Sequence, residues 1–86
     1  MHEMSLMADL FRKIDAIAQK ENASKVTCVR VKLGALAHIT PDHFREHFEQ
    51  AWGGTVAEGA TLEVEALTDE TDPQAQDILL DSVDVE

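Results

Sequence analysis

Cysteine and basic residues are scarce in this 86-residue sequence. The single cysteine, Cys28, excludes an internal disulfide and a zinc site built from paired cysteines, and it favours a reducing compartment. Only 7 Lys and Arg oppose 17 Asp and Glu, which gives a net charge of −10 at pH 7. Because such a chain repels phosphates, nucleic acid is not expected as a partner.

Long hydrophobic runs and a basic leader are also missing. No stretch of about 18 apolar residues is present, and the start at Met1-His2-Glu3 lacks the positive charge of a secretory signal. We therefore expect a cytoplasmic protein that does not contact a membrane. The mature chain is expected to begin at Met1, because His2 is too large for the usual removal of the initiator methionine.

The usual signs of catalysis are absent as well. The sequence contains no recognisable nucleophile with a neighbouring base, no phosphate-binding glycine loop and no paired acids in a predicted pocket. We therefore predict that the protein is not an enzyme.

The pattern of apolar residues predicts one domain over residues 1–86. Hydrophobic residues make up 44% of the chain, which is enough for one core. The predicted fold class is α+β, with two helices packed on one face of a three-stranded sheet in the order α-β-α-β-β. The helices are expected at Met4–Glu21, capped by Ser5, and at Pro41–Trp52, capped by Thr40, and the strands at Lys25–Leu33, Thr61–Leu67 and Ile78–Val85.

Several details of the strands follow from their alternation. The first strand is predicted to place Thr27, Val29, Val31 and Leu33 on the core face. The apolar residues of the last strand change phase, which indicates a bulge near Asp81-Ser82. An acidic, solvated linker is expected over residues 68–77, and we predict that it joins the last two strands as an antiparallel hairpin.

The amino terminus is the most informative segment for chemistry. The terminal amine of Met1, the ring of His2 and the deprotonated backbone amides of His2 and Glu3 offer a plane of nitrogens that suits Ni(II) or Cu(II). The alternative is that His2 is simply a residue of a frayed terminus. Spacing alone does not decide between these interpretations.

Five segments together resemble the HypA/HybF family of nickel metallochaperones: Met1-His2-Glu3-Met4-Ser5-Leu6, Val29–Leu36, the Pro41–Glu49 helix with Phe44 and Phe48, Ala57–Val64 and Leu80–Glu86. The resemblance implies that the protein delivers nickel during maturation of [NiFe]-hydrogenase, and sometimes of urease, together with a HypB-like GTPase. It also implies that His2 binds nickel with the first backbone nitrogens and that Glu3 supports the site.

The sequence departs from the family pattern in two places. Family members carry a zinc module with two Cys-x-x-Cys pairs, where this chain has only residues 68–76 and no cysteine, so we expect no structural zinc. Either a natural variant without zinc or an excised module replaced by a short linker explains this difference. Thr40 stands where many members have an aspartate, and it can cap a helix but supplies no carboxylate.

Other candidate residues have simpler interpretations. His43 and His47 lie four apart on the second helix and could clamp a metal ion, but a packed or surface pair is favoured, and His38 is not favoured as a ligand either. Cys28 is interpreted as a plain strand residue and Trp52 as a core anchor. The competing function is a HypA-like adaptor module without metal. Either an exposed strand edge or the apolar ends of the last strand are expected to allow a homodimer.

Overall fold

The computed structural model describes the backbone of residues 2–86 and the side chains from Met7 onward. Over these residues the elements follow the predicted order, and the predicted fold class is confirmed. The helices are α1 (His2–Lys20) and α2 (Pro41–Ala51), and the strands are β1 (Val26–Leu33), β2 (Thr61–Ala66) and β3 (Ile78–Val85).

The three strands form one mixed sheet in the order β2-β1-β3. Strand β1 pairs parallel to β2 and antiparallel to β3, so that Val31 lies opposite Val64 on one side and Leu80 on the other. The parallel pair arises because α2 forms the crossover that connects β1 to β2. This arrangement makes β1 the central strand.

The predicted hairpin between the last two strands is wrong. Strand β3 does not pair with β2 but crosses to the free edge of β1. The connector after β2 passes over the end of β1, where the N–H of Gly34 donates to the carbonyl of Asp77 at 2.9 Å and the N–H of Leu36 donates to the carbonyl of Ala75 at 2.7 Å. A buried central strand has backbone groups on both edges that need partners, and β3 supplies the second set.

Both helices cover the same face of the sheet. Their apolar residues recur at steps of three and four, which brings them onto one stripe of each helix. They form one core with the inward side chains of β1; the most buried members from these three elements are Ile14, Ala18, Val26, Val29, Val31, Leu33, Phe44 and Phe48. Trp52 packs edge-to-face against Phe48, with ring centroids 5.9 Å apart, and this contact supports its interpretation as a core anchor.

The helix boundaries differ from prediction mainly at α1. This helix begins at His2, so Ser5 lies inside it and is not its cap. An acidic residue is favoured in a first turn, so Glu3 is compatible with the earlier start. In α2 the predicted cap is confirmed, because the Oγ1 of Thr40 accepts a hydrogen bond from the N–H of His43 at 3.1 Å.

Two irregularities alter which β1 and β3 residues face the core. Between the pairs of Val31 with Leu80 and Arg30 with Ser82, β3 has Asp81 as an extra residue, which confirms the predicted bulge. Strand β1 has a second extra residue, Thr27, between Val26 and Cys28. The expectation that Thr27 faces the core is therefore wrong: Val26 is fully buried, whereas Thr27 is half-buried.

The acidic segment before β3 is mostly exposed, with one exception. Ala75 is buried against the turn that follows β1. Within residues 2–86, neither helix is both long enough and apolar enough to cross a lipid bilayer.

Candidate metal site

The predicted nickel ligands lie at the edge of what the structure describes. Met1 is outside the described residues, and so are the side chains of His2 and Glu3, so the placement of these donor groups remains a prediction. The backbone of His2 and Glu3 belongs to the first turn of α1. Amides of a first helical turn have no acceptor within their own helix, which leaves their nitrogens available to another partner.

The position of these amides has two electrostatic consequences. The amino end of a helix carries partial positive charge, which repels a bare cation. The same field stabilises a negatively charged, deprotonated amide nitrogen, which is the form that a metal ion binds. A site built from deprotonated amides therefore suits this end of α1 better than a site built from neutral donors.

Histidines 43 and 47 are brought together by α2. Their spacing of four residues places both imidazoles on one side of the helix, with the two Nε2 atoms 2.9 Å apart and the ring centroids 4.5 Å apart. His38 lies in the turn before α2, is exposed and has a positive φ of 59°. Among the side chains described from Met7 onward, no three His, Cys, Asp or Glu residues are grouped so that they could share a metal ion.

Cys28 lies in a setting that opposes metal binding. Burial raises the pKa of its thiol, and the neighbouring Arg30 only partly opposes this effect. Its Sγ lies 3.8 Å from an oxygen of Glu63, whose negative charge raises the thiol pKa further. Because the thiolate is the form that binds metal, these surroundings favour the interpretation of Cys28 as a plain strand residue.

The open face of the sheet carries an ion-pair network that the sequence analysis missed. Arg30 on β1 lies 3.4 Å from Glu63 on β2 and donates to both carboxylate oxygens of Asp84 on β3, at 3.2 and 3.0 Å. Farther along, Lys32 lies 3.8 Å from Asp81. The signal in the sequence was the presence of outward-facing basic residues on β1 and outward-facing acidic residues on the other strands. Which of these charges pair depends on the strand order.

Comparison with known proteins identifies the family of the chain. Residues 1–72 match the sequence model of a family described as hydrogenase/urease nickel incorporation, metallochaperone, hypA. This match covers most of the chain and includes the amino-terminal segment. The predicted family resemblance is therefore confirmed, and the chain belongs to the HypA family.

Individual relatives are named hydrogenase maturation factor HypA. The chain is 42% identical over 67 residues to the hydrogenase maturation factor HypA of Desulfitobacterium hafniense strain DCB-2, a match that spans 78% of this chain and 59% of that protein. It is 39% identical over 70 residues to the HypA of Rhizobium leguminosarum bv. viciae, spanning 81% of this chain and 62% of the relative. The chain thus spans about three fifths of the length of these curated relatives.

Two solved structures share the fold. The solution structure of the Ni metallochaperone HypA from Helicobacter pylori superposes with a TM-score of 0.80 at 18% identity, over 96% of each chain. A second solution structure of a HypA protein gives a TM-score of 0.77 at 18% identity, over 100% of this chain and 97% of that one. At this level of identity the likeness establishes the architecture alone.

Proposed function

We propose that the protein is a nickel metallochaperone that binds Ni(II) at its amino terminus and delivers it during maturation of [NiFe]-hydrogenase. The observation that carries the proposal is the family match over residues 1–72, which includes Met1, His2 and Glu3. Urease is a second candidate recipient, because the family description names both enzymes.

The proposed donors are nitrogens at the start of α1. The amine of Met1, the imidazole of His2 and the backbone amides of His2 and Glu3 form a square plane around the ion, while the side chain of Glu3 supports the site. Nitrogen planes of this kind suit Ni(II) and bind Cu(II) more tightly still, so selectivity for nickel comes from metal supply in the cell. Binding weakens as pH falls, since protons compete for the amine, the ring and the amides.

The proposed partners follow from the same family membership. They are a HypB-like GTPase and the hydrogenase maturation machinery in the cytoplasm, and we propose no nucleic acid or membrane partner for a chain of charge −10. The chain acts as a single nickel-binding domain over residues 1–86, in which the acidic segment 68–77 takes the place of a zinc module. It carries no structural zinc and catalyses no reaction, and an exposed strand edge lets it form a homodimer.

A nickel titration of untagged protein tests the amino-terminal site. Square-planar Ni(II) has a weak absorption band in the violet-to-blue region, which gives it a yellow-to-orange colour, so this band reports the proposed site rather than nickel bound elsewhere. We expect the wild type to develop the band, and we expect His2→Ala or any residue added before Met1 to abolish it. The first change deletes a donor, and the second moves the amine out of the chelate.

The controls are histidines far from the amino terminus in sequence. His43→Ala and His47→Ala should leave the absorption band unchanged. If the band survives both amino-terminal changes and is lost in the α2 variants, the proposed ligand set is wrong. A folded wild type that never develops the band would instead favour the adaptor function without metal.

A further inference from the structure

The histidine pair on α2 has the geometry of a chelate. The Nε2 atoms of His43 and His47 lie 2.9 Å apart. Both residues belong to a helix that packs against the core. Phe44 and Phe48, which follow each histidine by one residue, are 1% and 0% exposed in the core. The helical backbone that sets the spacing of the two imidazoles is therefore held by packing and does not have to form when a ligand arrives.

The separation of the two nitrogens can be compared with the separations that metal ions impose on their ligands. Imidazole nitrogens bind such ions at about 2.0 Å, so two of them at a right angle are about 2.8 Å apart, whereas a tetrahedral angle places them about 3.3 Å apart. The observed 2.9 Å is the length of a hydrogen bond between the two rings, and it also matches the right angle, so an ion can take the place of the bonding proton with little movement of the imidazoles. Right angles between neighbouring ligands belong to square-planar and octahedral ions, whereas structural zinc is tetrahedral.

We propose that His43 and His47 form a second metal site, which binds a divalent ion of the Cu(II) or Ni(II) type through both Nε2 atoms. Each ring then carries its proton on Nδ1, so binding to neutral rings requires a change of tautomer and no net loss of protons. No third His, Cys, Asp or Glu completes a cluster among the side chains from Met7 onward, and the proposed site requires only the two imidazoles. The net charge of −10 attracts a cation to this surface.

This site is independent of the proposed function, since it uses no residue before α2. Two imidazole ligands hold an ion loosely and leave it open to exchange. Nickel bound in this way lacks the four nitrogen donors of a square plane and does not give the violet-to-blue band of that geometry. The two sites can therefore be followed separately in one protein.

The test is addition of Cu(II) alone, and separately of Ni(II) alone, to untagged full-length protein while the backbone and imidazole resonances are followed by NMR. These paramagnetic ions broaden signals close to them. We expect broadening around His43 and His47 in the wild type and in His2→Ala. Either His43→Ala or His47→Ala should weaken binding at α2 on the order of 100-fold, because one imidazole loses the benefit of a second tethered donor.

A matched control keeps the number of histidines on α2 and changes the spacing between them. In the double variant His47→Ala with Glu49→His, the second imidazole moves to another side of α2, so binding should fall as in His47→Ala alone. Circular dichroism of each variant checks that the helix is retained. Equal broadening in the control and the wild type, no broadening at α2 in the wild type, or loss of α2 binding in His2→Ala would each overturn the two-ligand site. Absence of nickel at the amino terminus alone would count against the proposed function and not against this site.

Discussion

Gly34 shows how one residue can depend on a distant part of the chain. It lies just after β1, where the segment leading to β3 crosses over, and its N–H donates to the carbonyl of Asp77 at 2.9 Å. A Cβ atom at this position would overlap the backbone carbonyl of Ala75 and approach that of Gln74. Backbone atoms cannot rotate away as a side chain can, so the crossing requires glycine here.

We therefore predict that Gly34→Ala destabilises the fold by about 1–3 kcal/mol, the range expected for forcing an extra carbon into a filled space. Urea unfolding of the variant and the wild type measures the difference. Gly53→Ala is the matched control, because a Cβ at Gly53 meets no atom within 4 Å and the backbone is not in the left-handed region. Equal unfolding midpoints for Gly34→Ala and Gly53→Ala would show that the connector does not pack closely on β1.

Sequence reasoning at the scale of single residues was strongest where the cause is local. The helix cap at Thr40 was predicted from a hydroxyl placed before Pro41, and the structure confirms this cap. The role of Gly34 could not be predicted, because it depends on where Ala75 lies in space. Similarly, spacing placed His43 and His47 on one side of α2, but only the structure gives the distance between their nitrogens.

At the scale of elements, the strand order decides which charges meet. Placing β1 in the centre brings Arg30 between an acid on β2 and an acid on β3. Periodicity predicted each strand, and the phase change in β3 predicted its bulge at Asp81. The order of the strands was mispredicted, because a connector of this length can close a hairpin or pass over one strand, and local residue preferences do not distinguish the two.

The Arg30–Asp84 pair gives the contact between β1 and β3 a dependence on pH. Hydrogen bonds from Arg30 hold the pKa of the Asp84 carboxyl below its usual range. A carboxyl whose pKa is lower in the folded state stabilises the fold above its unfolded pKa of about 4, and this contribution is lost as pH falls through the folded value. We predict that Asp84→Asn is less stable than the wild type at pH 7 and that the difference shrinks below about pH 4.

Urea midpoints over a pH series measure this effect. The matched reference is the background Arg30→Gln, in which Asp84→Asn should change stability little at any pH, because the partner is already gone. Both side chains are partly exposed, at 35% and 52%, so solvent screening limits the size of the effect. A difference that stays constant from pH 7 down to pH 2 would contradict the assigned cause.

At the scale of the whole molecule, the acidic surface opposes self-association, whereas the open edge of the sheet favours it. The net charge of −10 is carried by a molecule with a radius of gyration of only 12.6 Å, so two copies repel each other at short range. Strand β3 lies at one edge of the sheet, and Leu79 and Leu80 line an open groove there with Ile17 of α1. The net charge can be read from the composition, but identifying β3 as the edge beside α1 required the strand order.

We predict that self-association through β3 increases with ionic strength. At about 0.01 M salt the screening length is about 30 Å, which is comparable to the dimensions of the molecule, 38 × 22 × 19 Å, whereas at about 1 M it is about 3 Å. Light scattering at high protein concentration should therefore give the monomer mass at low salt and a rising dimer fraction at high salt.

The variant Leu79→Lys should stay monomeric at both salt concentrations, since a charged lysine on an edge strand opposes pairing with a second copy. A monomer mass at every salt concentration would exclude the homodimer, and a dimer that persists in Leu79→Lys would place its interface elsewhere.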